Sequence, residues 1–468
     1  MNHAAIIRML SFCGLIFSAA MLVCSGVAFL VSETAQFHVF LTTAVLLGTL
    51  AMSALVLAPT PKRRAQPSDG LAFMVLFWFV AGAACAPPFL MGVPNDSAIA
   101  ALHEAISCLT TTGHSAFTRA ELELPGSIIV WRAFLHLVGA IATITFAATV
   151  LAALNLDGPG IHRTHLFSLS DASFFDSIPR VLRTVSIAAA ICVLLVFSIE
   201  VVGGIPAHTA FLDAVSAFST GLADPVGVYQ DVTRGARAIG LSIGLLLGSL
   251  GLFVLMLLVS SNARKSLSDP EVGTFFFFLA LFSALAIMHG VNVVNAFGWA
   301  ISSLSTSGIA LVSPATTHSI PLALQLAPAL VGGAALSSAG GIKLARLYVL
   351  SRRVGQEFLR VSYGQSLLSF EFRRRVQSDR TIMGIWVYLV AYVMATVVGL
   401  ILFSFSGSSF EDAITNTIGS LTNSGHLIDL EGLPGNPLRQ FWLILGMILG
   451  RLEVLAFVPL LTVSFWRR

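Results

Sequence analysis

Apolar residues in this chain come in long runs, at 9–31, 37–58, 71–92, 127–154, 185–204, 236–261, 273–293, 320–350, 381–405 and 437–463. A helix needs roughly 18 or more such residues to cross a hydrocarbon layer of ~30 Å, so the pattern predicts ten membrane spans. Semi-polar stretches too short or too polar to cross separate the third run from the fourth, the fifth from the sixth, the seventh from the eighth and the ninth from the tenth. The first run follows Arg8 and exceeds the apolar core of a secretory signal, and a second run follows it directly, which predicts a membrane hairpin.

Composition excludes a water-soluble globular protein. Of 468 residues 56% are hydrophobic and only 10% charged, where a soluble domain carries about 25% charge, and the mean hydropathy is +0.88. The largest polar segments, 157–183 and 351–380, are loop-sized, so any regulatory nucleotide-binding module would have to be a separate polypeptide. Cys13, Cys24, Cys85, Cys108 and Cys192 lack CxxC spacing and lie in apolar runs, which reads as small buried hydrophobes.

Charge sets the expected orientation. Lys62, Arg63, Arg64, Arg163, Arg180, Arg183, Arg264, Lys265, Arg346, Arg352, Arg353, Arg360, Arg373, Arg374, Arg375, Arg380, Arg467 and Arg468 all fall on one side, which predicts cytoplasmic termini. Asp96, Glu121, Glu123, Asp224, Asp231, Glu411, Asp412, Asp429 and Glu431 fall on the other. They form either a solvated face or an acidic mouth that concentrates cations. Trp131 and Trp442, near outer span starts, are expected in an interfacial belt.

The short stretches repeat one another. Residues 104–113 (EAISCLTTTG), 299–308 (WAISSLSTSG) and 416–425 (NTIGSLTNSG) align without a gap, and 213–221 (DAVSAFSTG) is one residue shorter. Each reads as a short amphipathic helix running into a hydroxyl-rich strand that stops at glycine. Irregular backbone at membrane depth must be buried in protein or line a watery cavity. Four such loops around one axis present rings of carbonyl oxygens that can replace the water around a monovalent cation. The predicted filter is Thr111, Thr112, Gly113, Ser219, Thr220, Gly221, Thr306, Ser307, Gly308, Asn423, Ser424 and Gly425. Its glycines suit positive φ or a close approach; the alternative is that each simply caps a helix. The eighth run contains Gly332, Gly333, Ser337, Ser338, Gly340 and Gly341, too rich in small residues for a continuous helix, and is expected to break into a loop across the path, unless those residues serve close helix packing. Gly240, Gly244 and Gly248 read as a packing ridge.

These four repeats, with residues 337–346 (SSAGGIKLAR) and 450–453 (GRLE), resemble the TrkH/KtrB group of bacterial potassium transporters in the Trk/Ktr/HKT superfamily over nearly the whole chain. The two extra N-terminal spans make it more similar to TrkH than to KtrB. The resemblance implies an all-α polytopic membrane protein with pseudo-fourfold symmetry: a hairpin over 1–66 and pore repeats over 67–156, 157–264, 265–353 and 354–468. It implies K+ as the transported ion, no organic cofactor, and uptake across the bacterial inner membrane. Expected partners are membrane lipid, a second copy of the chain and a TrkA-like nucleotide-binding subunit, with no nucleic acid. The glycine-rich break is then the gate, and Arg451, halfway along the last span, projects into the pore below the filter; the alternative is an ion pair with an acid on another helix. Glu453, two residues on, points to a different face, and Lys343 and Arg346 read as topology anchors. His114 and His426 depart from the group after the first and fourth glycines, as a pH-sensitive mouth or as hydrogen-bonded loop residues. Other readings are a poorly selective monovalent cation channel and a secondary transporter coupled to Na+ or H+, although Glu453 is almost the only deep carboxylate expected. No HExxH or GxSxG motif supports an enzyme.

Overall fold

The computed structural model describes residues 1–61, 63–93, 97–117, 124–151, 175, 177–221, 235–251, 269–309, 311, 319–362, 371–372, 375–376, 379–428 and 436–453. The chain opens with two long helices, α1 (His3–Leu30) and α2 (Thr34–Leu57). They lie close because small residues meet: Ser18 donates to the Ala44 carbonyl at 2.7 Å, and Gly48 faces Ser18. Four successions of span, short helix and span follow. The first is α3 (Pro67–Cys85) and α4 (Pro87–Gly92), then α5 (Ala98–Leu109), then α6 (Gly126–Phe146) continued by a π turn over Ala147–Leu151. The second is α7 (Ile178–Val202), α8 (Ala207–Ser219) and α9 (Ala236–Leu250). The third is α10 (Pro270–Met288), α11 (Val293–Leu304) and an interrupted pair, α12 (Leu322–Val331) and α13 (Leu344–Ser362). The last is α14 (Asp379–Phe405), α15 (Phe410–Leu421) and α16 (Pro437–Leu452). The fold is helical; a two-stranded ladder pairs Glu371 with Val376 and Phe372 with Arg375.

Among the described residues seven helical segments are long and apolar enough to cross a membrane. The three remaining expected spans are α9, the interrupted α12 and α13, and α16; the ends of the expected runs beyond residues 251 and 453 lie outside the described residues. Capping chemistry fixes where helices begin. Ser97, Asn292 and Ser409 accept from the second or third amide of α5, α11 and α15, satisfying donors that would otherwise be orphaned. Glu33 at the start of α2 accepts the Gly126 amide at 2.7 Å and so also caps α6, tying the hairpin to the first unit.

The hairpin changes one expectation. Trp131 is fully buried, packs against Phe40 and Phe134 and donates to the Cys85 carbonyl at 3.4 Å, so it is a core residue and not an interfacial anchor. Phe40 belongs to α2, which covers this part of α6. Trp442 is half-buried. All five cysteines are free, four of them buried. Of the expected acidic mouth only Glu411 and Asp412 fall among the described residues, and Lys62, Arg163, Arg264, Lys265, Arg373, Arg374, Arg467 and Arg468 lie outside them.

Candidate functional site

The four short helices α5, α8, α11 and α15 end alike. In α5 the Thr112 amide donates to the Ser107 carbonyl at 2.9 Å and the Thr111 amide to Cys108 at 3.0 Å. Ser307 to Ser302 and Thr306 to Ser303 repeat the pair in α11, and Ser424 to Gly419 and Asn423 to Ser420 in α15; Gly221 to Ser216 supplies the longer bond in α8. This is the Schellman ending, which needs one residue in the left-handed region. That residue is Thr111 (φ 53), Thr220 (φ 52), Thr306 (φ 59) or Asn423 (φ 52), and not the glycine. The helices are therefore capped, but upstream of the glycines. Ser219 stays within α8, so the shorter second loop turns at Thr220.

The glycines split between the two expected reasons. Gly113 (φ 73) and Gly308 (φ 65) take positive φ. A Cβ on Gly221 would stand 2.4 Å from the Thr111 carbonyl oxygen, and one on Gly425 2.3 Å from that of Thr112. These are approaches between loops. Gly308 likewise leaves no room for a Cβ beside His426, and the Gly425 amide donates to the Thr112 carbonyl at 3.1 Å. The loops meet side by side at the junctions of first with second, third with fourth, and fourth with first. In the first, second and fourth units the following span carries a glycine that lets the helix-ending carbonyl seat closely: Gly139 against Leu109, Gly248 against Phe218, Gly450 against Leu421. The ridge of Gly240, Gly244 and Gly248 packs on Glu200, on Ala217 with Val196, and on the Ala217 and Phe218 carbonyls.

The helical break lies where the loops converge. Gly332 (φ 70), Gly341 (φ 81) and Lys343 (φ 77) turn the chain out of α12 and back into α13, and bonds from Ile342 to Leu330 and from Leu344 to Gly333 close its base. A Cβ on Gly340 would stand 1.7 Å from the Thr422 carbonyl oxygen of the fourth loop. The Gly340 amide donates to Thr306 Oγ1 at 2.9 Å in the third loop. Ser338 Oγ donates to the Phe218 carbonyl at 2.8 Å and accepts from Thr220 Oγ1 at 3.3 Å in the second. Arg451 of α16 completes the ring: its Nε donates to the Thr110 carbonyl, Nη2 to Thr111 Oγ1 and Nη1 to the Ser338 carbonyl. Residues 338–340 with Arg451 thus touch all four loops. Arg451 is 6% exposed, and it donates to backbone and hydroxyl oxygens, where the alternative expectation was an acid.

Charges around this centre correct two further expectations. Glu453 pairs with Arg346, whose guanidinium also stacks 4.0 Å above the Tyr388 ring, and Lys343 donates to the Ser337 and Ala339 carbonyls inside the break. Lys343 and Arg346 are therefore buried parts of the assembly, beyond topology anchors. Buried carboxylates are also more numerous than expected. Glu104 pairs with Arg132 and holds the returning strand of the first loop through Ser115 Oγ (3.1 Å) and the Ala116 amide (3.0 Å). Asp213 makes a two-point pair with Arg237 at 2.6 and 3.1 Å, and Glu200 lies beside Asp213. An acid at the first position of two of the four repeat segments, Glu104 and Asp213, was the available signal. His114 is buried and bonds His103 at 3.0 Å, as a hydrogen-bonded loop residue does, whereas His426 is exposed.

Loops 1 and 3 share one brace: Ser107 Oγ donates to the His114 carbonyl at 2.5 Å and Ser302 Oγ to the Ile309 carbonyl at 2.6 Å. The fourth repeat has Gly419 there. Its loop is held instead by Asn423, whose Nδ2 donates to Thr112 Oγ1 at 3.1 Å and to the Met447 carbonyl at 2.9 Å.

No protein-family model matches the chain. Curated relatives do, end to end. The Trk system potassium uptake protein TrkH of Vibrio parahaemolyticus is 29% identical and that of Escherichia coli K12 26% identical, each with the whole of both chains covered. TrkG of Escherichia coli K12 is 23% identical over 100% of this chain and 99% of its own. The crystal structure of the potassium transporter TrkH from Vibrio parahaemolyticus superposes with a TM-score of 0.85 over the whole of both chains at 24% identity. In sequence along its full length, and in fold, the chain resembles the TrkH proteins of the TrkH/KtrB group.

Proposed function

We propose that the chain conducts potassium ions from outside to cytoplasm through one pore in a bacterial inner membrane, driven by the membrane potential. Roughly 2.3 kcal/mol per charge is available per 100 mV, and no covalent chemistry is needed. The full-length relatives named as potassium uptake proteins support the ion and the direction. The observation that carries the reading is the meeting of all four loops on residues 338–340 and Arg451.

In this reading a hairpin over 1–66 precedes four pore units over 67–156, 157–264, 265–353 and 354–468. The filter is Thr111 to Gly113, Ser219 to Gly221, Thr306 to Gly308 and Asn423 to Gly425, and its peptide oxygens take over from water around a dehydrated cation. The segment from Gly332 to Gly341 is the gate. Arg451 places a fixed positive charge beneath the filter, where it opposes cation passage until the gate moves. Basic residues fall on the side of both termini, which favours cytoplasmic ends. The assembly is a homodimer in lipid docked on a TrkA-like nucleotide-binding subunit, in keeping with the Trk system of the relatives.

Rubidium influx into liposomes competed with sodium tests the reading, with Gly113→Ser as the filter variant. Its added side chain meets a backbone at φ 73, where L residues are strained, so rubidium over sodium discrimination should fall. Unchanged flux and discrimination in that variant would refute the filter.

A further inference from the structure

We infer that the hydroxyls of Thr111, Thr220 and Thr306 form a three-point latch that seats the intramembrane loop, so that the residue ending each of the first three pore helices couples filter to gate. The inference rests on the gate reading above and names its receptor.

A left-handed turn admits glycine freely, whereas a β-branched residue there is an outlier that costs of order 1–2 kcal/mol. Three fully buried threonines nevertheless hold that conformation at equivalent places in three repeats. What glycine cannot supply is the hydroxyl, and each of the three hydroxyls is bonded to the gate assembly. Thr111 Oγ1 accepts from Arg451 Nη2, Thr220 Oγ1 donates to Ser338 Oγ at 3.3 Å, and Thr306 Oγ1 accepts from the Gly340 amide at 2.9 Å. Arg451 in turn holds the Ser338 carbonyl, so all three bonds converge on residues 338–340 and the arginine that grips them. The fourth left-handed residue serves as an internal contrast. Asn423 suits αL without a β-branch, and its amide bonds Thr112 and Met447 rather than the loop.

The test is basal rubidium influx in liposomes holding the full chain alone. Thr111→Val, Thr220→Val and Thr306→Val keep the β-branch and remove the hydroxyl, and each should leak about two- to tenfold more than the wild type, the factor one net hydrogen bond supplies. The serine variants, which keep the hydroxyl, should leak less than their valine counterparts. Labelling of Ala339→Cys by a water-soluble thiol reagent should quicken in the valine backgrounds, a readout that a purely structural role would not move. Ser338→Ala removes the partner from the other side, so Ser338→Ala with Thr220→Val should leak no more than the worse single variant, and this pair carries the test if other valine variants fail to fold. Equal leak in valine and serine variants, unchanged labelling, or additive effects in that pair would overturn the latch. A wild type that passes no rubidium would instead remove the function on which the latch rests.

Discussion

Arg451 offers the sharpest perturbation, because its charge and its hydrogen bonds predict different things. Its guanidinium holds the Thr110 carbonyl and the Thr111 hydroxyl. A cation coordinated by the same loop would lie about 6 Å away, two ligand lengths. Two unit charges at that separation repel by about 3 kcal/mol at an effective dielectric of 20, and by less than ~1 kcal/mol in bulk water. Those limits translate into about 100-fold and about threefold in the rate of passage. Arg451→Gln removes the charge but keeps a donor, and rubidium influx into liposomes should rise within that window. Arg451→Lys keeps the charge and loses the fork that spans Thr111 and Ser338, so it should retain most of the barrier while loosening the loop. Equal influx for glutamine and lysine would show that charge does not set the barrier. Slower influx for glutamine, at matched amounts of folded protein, would remove Arg451 from the gate altogether.

Other expected outcomes follow from single contacts. Gly340→Ala drives a Cβ to 1.7 Å from the Thr422 carbonyl oxygen, so the loop cannot seat and cation leak should rise; a tight Gly340→Ala channel would place the loop elsewhere. Glu453→Gln leaves the buried Arg346 without its carboxylate and should cost about 3 kcal/mol, read as a lower melting temperature in detergent. Asn423→Thr loses the two side-chain bonds that Asn423 makes to the first loop and to α16, leaving the Gly425 amide on Thr112, and rubidium over sodium discrimination should fall, because a loosened seam lets the carbonyl ring contract around the smaller ion.

What was legible in the sequence is what the bilayer and the repeats impose. Spans declare themselves because an apolar run of that length has no other use, and at the ends that fall among the described residues the expected runs meet the observed helices to within about two turns, except where the eighth breaks. The repeat declared itself through the pattern Ile/Val, Leu/Phe, Ser/Thr, Gly. Three things were hidden. In three repeats the left-handed turn falls on threonine, whose hydroxyls make long-range bonds to Arg451, Ser338 and Gly340 that no local propensity can announce. Trp131 read as an interfacial residue because its position in its own span is terminal, and only the tertiary cover of α2 buries it. Lys343 and Arg346 read as anchors at the end of a span and Glu453 as a deep carboxylate, yet the break buries both cations, Lys343 on carbonyls of the break and Arg346 on Glu453, 107 residues further along the chain.

The departure of the fourth repeat from the other three has a physical logic. Without a serine at the position of Gly419, the fourth pore helix lacks the hydroxyl that braces loops 1 and 3 from within. Its loop therefore borrows support across the junction, through the Gly425 amide on Thr112 and the Asn423 amide on Thr112 and Met447. The Met447 carbonyl can only accept, which fixes the orientation of the Asn423 amide, and its two N–H donors go to Met447 and Thr112 rather than to residues 338–340. Three loops turn their left-handed side chain to Arg451 or to residues 338–340, and the fourth turns it to the first loop and α16. In the proposed gating movement, withdrawal of residues 338–340 takes a hydroxyl partner from loops 2 and 3 and the Ser338 carbonyl from Arg451, while Thr111 keeps its bond to Arg451 and loops 1 and 4 remain joined by bonds that residues 338–340 do not supply. On the proposed function, the side of the ring between the first and fourth loops would hold its geometry as the path opens, which is the condition for an ion to meet the same oxygens in the conducting state as in the closed one.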